Sequence, residues 1–235
     1  MKKEVRILIP IAVVAILLAG ANFLFFSTSE AAPEEAEVVL TAAGEECFFD
    51  EAKEPFTNYA SIVNPLDPYT GSPDAPVTVI EFFDPNCPAC KFAWPDMRAA
   101  IEQNAERARF VFKPIVLPNF PQSRPQVAAL YEAGKQGKFF GMADAQFDQQ
   151  KPQTGLSLEE MQAIATDIEM DVDAMTEAIE AGTYDAYTQA QRQAAQLAGV
   201  TGVPTVLING KHVATKSADC LTALIEREVG AAQGD

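Results

Sequence analysis

The chain of 235 residues is long enough for one domain with a full core and short for two, and its 48% apolar and 21% charged residues exclude a disordered or fibrous class. Acidic side chains outnumber basic ones 33 to 17, giving a formal charge of −16. That excess argues against nucleic acid or an anionic membrane surface as a partner of the folded part.

The N-terminus differs from the rest. Lys2, Lys3 and Arg6 outweigh Glu4 and precede the apolar run Ile7–Phe26, the order of an export signal. The run has about the length that crosses the hydrocarbon as a helix. Ala19-Gly20-Ala21 and Ser29-Glu30-Ala31 both offer cleavage sites, but cutting after Ala21 would leave Phe23-Leu24-Phe25-Phe26 at the new terminus, so a retained anchor is favoured. Residues 1–26 are thus read as a signal-anchor or signal peptide, with the chain's own N-terminus in or through the inner (cytoplasmic) membrane. The positive-inside rule places residues 27–235 in the periplasm or another extracytoplasmic space, where disulfides persist. Residues 27–76, acidic and interrupted by Asn64-Pro65, Asp67-Pro68 and Ala75-Pro76, read as a linker and N-terminal extension, with the folded domain over 77–230.

Val77–Phe83, β-branched and aromatic between turn formers, predicts a buried strand carrying one charge, Glu81. A helix is expected from Pro88 to about Arg107 and a second strand over 109–116, a β-α-β order that implies parallel strands and an α/β sheet. Residues 122–198 read as a helical insertion, in pieces near 124–136, 138–149, 158–168, 173–181 and 184–198. Ser157 and Glu160 form a capping box at the start of the third. Pro204–Ile208 predicts another strand, Asn209-Gly210 a hairpin turn, and Lys211–Ala214 the returning strand. Ser217 caps a last helix with Leu221, Leu224, Ile225 and Val229 on its apolar face.

The candidate chemistry lies in Cys87-Pro88-Ala89-Cys90, at the join of the first strand and the first long helix. A cysteine at a helix N-terminus has its thiolate stabilised by unpaired amides and the positive end of the helix dipole, and Pro88 fits the first turn, so Cys87 is the expected nucleophile. Cys90, about one turn on, can close a disulfide with it and resolve a mixed disulfide. A zinc site fits poorly, because the other cysteines are not in CxxC spacing and His212 is the single histidine. No metal or cofactor is therefore expected. A short structural bridge stays open as an alternative. His212 is read as an exposed hairpin residue, and Trp94 as core or rim packing.

Two stretches, Val79–Cys90 and Gly199–Gly210, resemble the DsbA-like branch of the thioredoxin superfamily, and the likeness extends over residues 77–230. The resemblance implies a thioredoxin-like fold with a helical insertion between the two halves of the sheet. It implies thiol–disulfide oxidoreductase activity on exported unfolded or cysteine-containing proteins, with a membrane redox partner. It further implies a cis Val203–Pro204 bond packed against the cysteine pair, a substrate surface formed by Pro88, Ala89, Val203 and Thr205, and a helix kink at Pro95. Glu81 matches the buried acid of this fold, which would relay a proton to or from Cys90; the competing reading is an edge charge that reaches solvent. The dipeptide Pro88-Ala89 lacks the histidine of the most oxidising members, so a milder oxidant is expected. Disulfide donation is the favoured direction, and a reductase, an isomerase or a peptide-binding chaperone with a structural CxxC bridge are the alternatives. Cys47 and Cys220 are left over; they either bridge, stay free, or exchange with the other pair.

Overall fold

The computed structural model describes residues 38–234. The anchor expected over Ile7–Phe26 lies outside them, and among the described residues no helix is long and apolar enough to cross a membrane.

In chain order the elements are β1 (Val39–Leu40), β2 (Glu46–Cys47), β3 (Tyr69–Gly71), β4 (Val77–Phe83), α1 (Pro88–Asn104), β5 (Ala108–Pro114), α2 (Arg124–Lys135), α3 (Phe139–Asp148), α4 (Leu158–Asp167), α5 (Val172–Glu180), α6 (Asp185–Leu197), β6 (Thr205–Ile208), β7 (Lys211–His212) and α7 (Ala218–Gln233). The central sheet has the order β3-β5-β4-β6-β7, and β1 and β2 form a small sheet of their own. Strand β4 runs parallel to β5, connected through α1, and antiparallel to β6. This is the thioredoxin-like α/β arrangement, with α2 to α6 inserted between the β4-α1-β5 half and the β6-β7 hairpin.

Alternation along the strands divides the core. Val77, Val79, Phe83, Phe110, Phe112, Val206 and Ile208 pack on the face shared with α1, α7 and the insertion, whereas Ile80, Phe82, Val111 and Leu207 face α6. The helix boundaries follow local chemistry. Ser157 and Glu160 satisfy each other's amides at the start of α4, the Glu160 N–H donating to Ser157 Oγ at 3.2 Å and the Ser157 N–H to Glu160 Oε2 at 2.9 Å. Ser217 Oγ accepts from the Cys220 N–H at 3.2 Å to cap α7. Asn209 and Gly210 both have positive φ, 48° and 82°, as a tight hairpin turn requires. A Cβ on Gly210 would stand 2.1 Å from the Phe56 carbonyl oxygen, so glycine also admits the chain that crosses there.

Two expectations are corrected. Residues 38–76, read as the end of an irregular linker, contribute β1, β2 and β3, and β3 is an edge strand of the central sheet paired with β5. These strands are two or three residues long, too short to leave a periodicity to read, and the partner of β3 is distant in sequence. The other edge is covered as well: Phe49 bridges Val213, and the Asp50 N–H donates to the His212 carbonyl at 2.8 Å. For the same reason His212 is not exposed. It is 3% accessible, and its Nε2 lies 2.8 Å from the Ala198 carbonyl oxygen, a packing partner across the fold that a hairpin pattern does not reveal.

The extension is held at two further points. Cys47 and Cys220 are joined in a disulfide, with 5.1 Å between Cα atoms. Asp67 pairs with the buried Lys113 at 2.6 Å and also accepts from Tyr187 at 2.6 Å and Gln191 at 2.7 Å, so the buried charges are paired and hydrogen-bonded.

Candidate active site

Strand β4 ends at Phe83, and a tight turn of Asp84, Pro85 and Asn86 delivers Cys87 to the N-terminus of α1. Cys87 is the N-cap residue, extended at φ −74° and ψ 118°, and Pro88 occupies the first helical turn, where a missing N–H costs nothing. The Cys87 carbonyl accepts from the amides of Cys90 and Lys91, at 3.0 and 3.1 Å. Both thiols are free, Cys87 at 8% accessibility and Cys90 at 1%.

The two sulfurs titrate in opposite directions. Hydrogen bonding from the Cys90 thiol, with help from the backbone amides of Cys90 and Ala89, lowers Cys87 to about 6 against the cost of its burial and the nearby charge of Asp84. Cys90 is pushed far up, first by burial and then by its place beside the Cys87 sulfur. At neutral pH Cys87 is therefore the thiolate and Cys90 the thiol.

Glu81 lies on the β4 face that packs against α1. It is 2% accessible, its Oε2 has no hydrogen-bond partner, and burial raises its carboxyl to about 8. The alternative of an edge charge reaching solvent is thereby overturned: β4 is flanked by β5 and β6, so neither of its sides is an edge. Cys90 is influenced by the Glu81 charge, as expected for a group on the same buried face.

The Val203–Pro204 peptide bond is cis, and the Cys87 Sγ lies 3.7 Å from the Val203 carbonyl oxygen. Pro88 and Ala89 are exposed beside it and Val203 is half-buried. Thr205, by contrast, is buried, its hydroxyl donating to the Gly202 carbonyl at 2.7 Å, so it braces the loop from within. Pro95 sits inside α1. Trp94 is core, packed in tilted and edge-to-face contacts among Phe83, Phe112, Phe140 and Phe147 with its Nε1–H donated to Asp144 at 2.6 Å. Phe92, two residues beyond Cys90, is 84% exposed.

Sequence reasoning missed the polar wall behind the turn. Gln150, at the end of α3, donates to the carbonyls of Pro85 at 2.8 Å and Cys87 at 3.0 Å. Asn86 donates to Ser123 Oγ at 3.0 Å and to Gln126 Oε1 at 2.7 Å. Asp84 accepts from Ser123, Asn86 and Leu117. Ser123, Gln126 and Gln150 come from the insertion, dozens of residues away, and no local pattern marks them.

A family model described as Thioredoxin matches residues 64–227. Among solved structures, BdbD from Bacillus subtilis in its oxidised form superposes with a TM-score of 0.63 at 22% identity, covering 75% of this chain and 96% of that one. The thiol-disulfide exchange protein alpha-DsbA2 from Wolbachia pipientis gives 0.58 at 22% identity, covering 73% and 91%. The Na(+)/H(+) antiporter NhaA 3 of Salinispora tropica is 28% identical over 170 residues, 68% of this chain, and the match spans 25% of the antiporter's length.

Proposed function

The chain belongs to the thioredoxin family, and from that premise we propose that it exchanges disulfides with exported cysteine-containing proteins, acting as a disulfide donor. The observation that carries this reading is the split between the two sulfurs, Cys87 lowered to about 6 and Cys90 pushed up. A stable thiolate on the outer sulfur favours the dithiol over the disulfide, which is what makes a disulfide oxidising.

In the donor direction, a substrate thiolate attacks Sγ of Cys87 in the Cys87–Cys90 disulfide. The S–S bond breaks, and Cys90 leaves with the electron pair. Glu81, protonated up to about pH 8, supplies the proton that Cys90 takes up. A second substrate thiolate then attacks the substrate sulfur of the mixed disulfide and expels the Cys87 thiolate. Two electrons have passed from substrate to protein. Pro88, Ala89 and Val203 border the attacked sulfur and would contact the substrate backbone. A membrane redox partner would reoxidise the pair, and residues 7–26 would hold the domain on the extracytoplasmic side of the membrane.

The test is the equilibrium of the Cys87–Cys90 pair with glutathione. A potential of roughly −120 to −180 mV supports donation, and a value near about −270 mV assigns the chain to a reductase. A Cys90→Ser variant should accumulate mixed disulfides at Cys87. A Cys87→Ser variant that keeps full function in the cell sinks the exchange reading.

A further inference from the structure

The exchange mechanism leaves a second buried carboxyl on the approach to Cys87 without a role. Asp84 is fully buried. Its Oδ1 accepts from the Ser123 hydroxyl at 2.6 Å and the Asn86 N–H at 2.9 Å, and its Oδ2 accepts from the Leu117 N–H at 2.8 Å. Two of these donors are backbone amides, which cannot accept. The third, Ser123 Oγ, already accepts from Asn86 Nδ2, so its own proton is directed to Asp84. A carboxylate satisfies all three donors as they stand, whereas a protonated Asp84 could place its proton only by turning the Ser123 hydroxyl proton away from it. Burial raises the Asp84 carboxyl, and these same three hydrogen bonds oppose the rise. Glu81 is raised by burial too, but with one oxygen unpartnered and no hydrogen bond opposing the rise.

Asp84 is also tied to the nucleophile. Its backbone carbonyl accepts from the Cys87 N–H at 3.0 Å, and its side chain holds the amide of the intervening Asn86. The groups around Cys87 are the Cys90 thiol and the Ala89 and Cys90 amides from α1, the Val203 carbonyl from the facing loop, and Asp84 itself. Among the described residues no cation pairs with Asp84.

We propose that Asp84 is a positioning residue that sets the redox balance of the Cys87–Cys90 pair, its clamped negative charge opposing the Cys87 thiolate and holding the pair less oxidising than the helix terminus alone would make it. The inference rests on the exchange function and deepens it. When two glutathione molecules reduce the disulfide to the dithiol and leave as one glutathione disulfide, the charge that appears on Cys87 forms against the Asp84 carboxylate. The equilibrium is thereby shifted toward the protein disulfide. Ser123, just before α2, makes the insertion part of that setting.

The experiment uses the full chain with its Cys47–Cys220 bridge intact. Wild type, Asp84→Asn and Ser123→Ala are equilibrated with glutathione between pH 5.5 and 8, and the thiolate is titrated by its absorbance at 240 nm. Asp84→Asn should move the equilibrium constant toward the dithiol by about threefold or more and lower the Cys87 titration. Ser123→Ala should match wild type at pH 8 and approach Asp84→Asn as the pH falls, because a less well clamped carboxylate takes up its proton earlier. An Asp84→Asn protein with both readouts unmoved, or moved toward the disulfide, overturns the proposal while the exchange function stands. If Asp84→Asn does not fold, Ser123→Ala decides: a difference from wild type that is the same at both ends of the pH range overturns it. A wild-type chain that exchanges nothing with glutathione removes the function itself.

Discussion

Replacing Glu81 with glutamine should change how stability depends on pH, by an amount fixed by its burial. Its ordinary ionisation is at 4.5, the value expected in the unfolded chain, and in the fold it is raised to about 8 by burial alone. Between these values the folded state keeps a proton that the unfolded state has released, so stability falls as pH rises. The contribution is fully present below 4.5 and gone above 8. At 1.36 kcal/mol per pH unit the whole interval corresponds to about 5 kcal/mol, and the part lost by pH 7 to about 3 kcal/mol. Glu81→Gln removes the titration, so its stability relative to wild type should rise from near zero at pH 4.5 by these amounts. Urea unfolding followed by Trp94 fluorescence measures the difference. It is best done with Cys87 and Cys90 oxidised, since a disulfide does not titrate, and Asp84, Lys113 and His212 contribute equally to both proteins. A difference that stays flat from pH 4.5 to 9 would refute the reasoning, because it would mean that Glu81 ionises without cost.

Absorbance of the reduced protein at 240 nm should show one thiolate appearing with a midpoint at about 6, lost in Cys87→Ser. Because this value is depressed from 9, the reduced form gains stability as pH rises from 6 to 9 and loses it again as pH falls through 6, opposite in sign to Glu81; a midpoint near 9 would remove the thiolate from the account. Replacing Cys47 and Cys220 together by alanine opens a loop of 173 residues and should cost about 3–5 kcal/mol in urea unfolding. The glutathione equilibrium of Cys87 and Cys90 should not change, and a shift in it would mean that the second pair communicates with the first.

What the sequence revealed of this fold is what depends on near neighbours. The strand at Val77–Phe83, the capping box at Ser157 and Glu160, the turn at Asn209-Gly210 and the break-up of the insertion into five helices all rest on patterns a few residues long, and the structure places them within a residue or two. The position of Cys87 at a helix start was legible on the same terms. The role of residues 38–76 was not, since β3 exists only because β5, almost forty residues on, offers it a free edge. His212 failed likewise: an imidazole in a short hairpin reads as exposed until Ala198 is brought against it. Asp84 had its signal in plain view beside the cysteines, but its partners Ser123 and Leu117 come from beyond β5, and without them nothing distinguishes a clamped carboxylate from a turn residue.

The division of labour at the site follows from these ranges. The thiolate of Cys87 is stabilised by short-range means, first the thiol one turn on and then the amides of its own helix start, which any CxxC at a strand-to-helix join would supply. What surrounds it is assembled over long range. Gln150 grips the carbonyls of Pro85 and Cys87 from the end of α3, Ser123 and Leu117 fix the charge of Asp84, and Val203 closes the opposite side from the loop before β6. The helical insertion is therefore more than a lid on the sheet. It forms the rear wall of the Asp84–Cys87 turn, so a change in the packing of α2 or α3 should alter the position and electrostatics of Cys87 without touching the cysteines. On the role proposed for Asp84, a substitution in the insertion that loosens Ser123 should shift the redox balance of the Cys87–Cys90 pair, with Asp84 as the point of contact between the two.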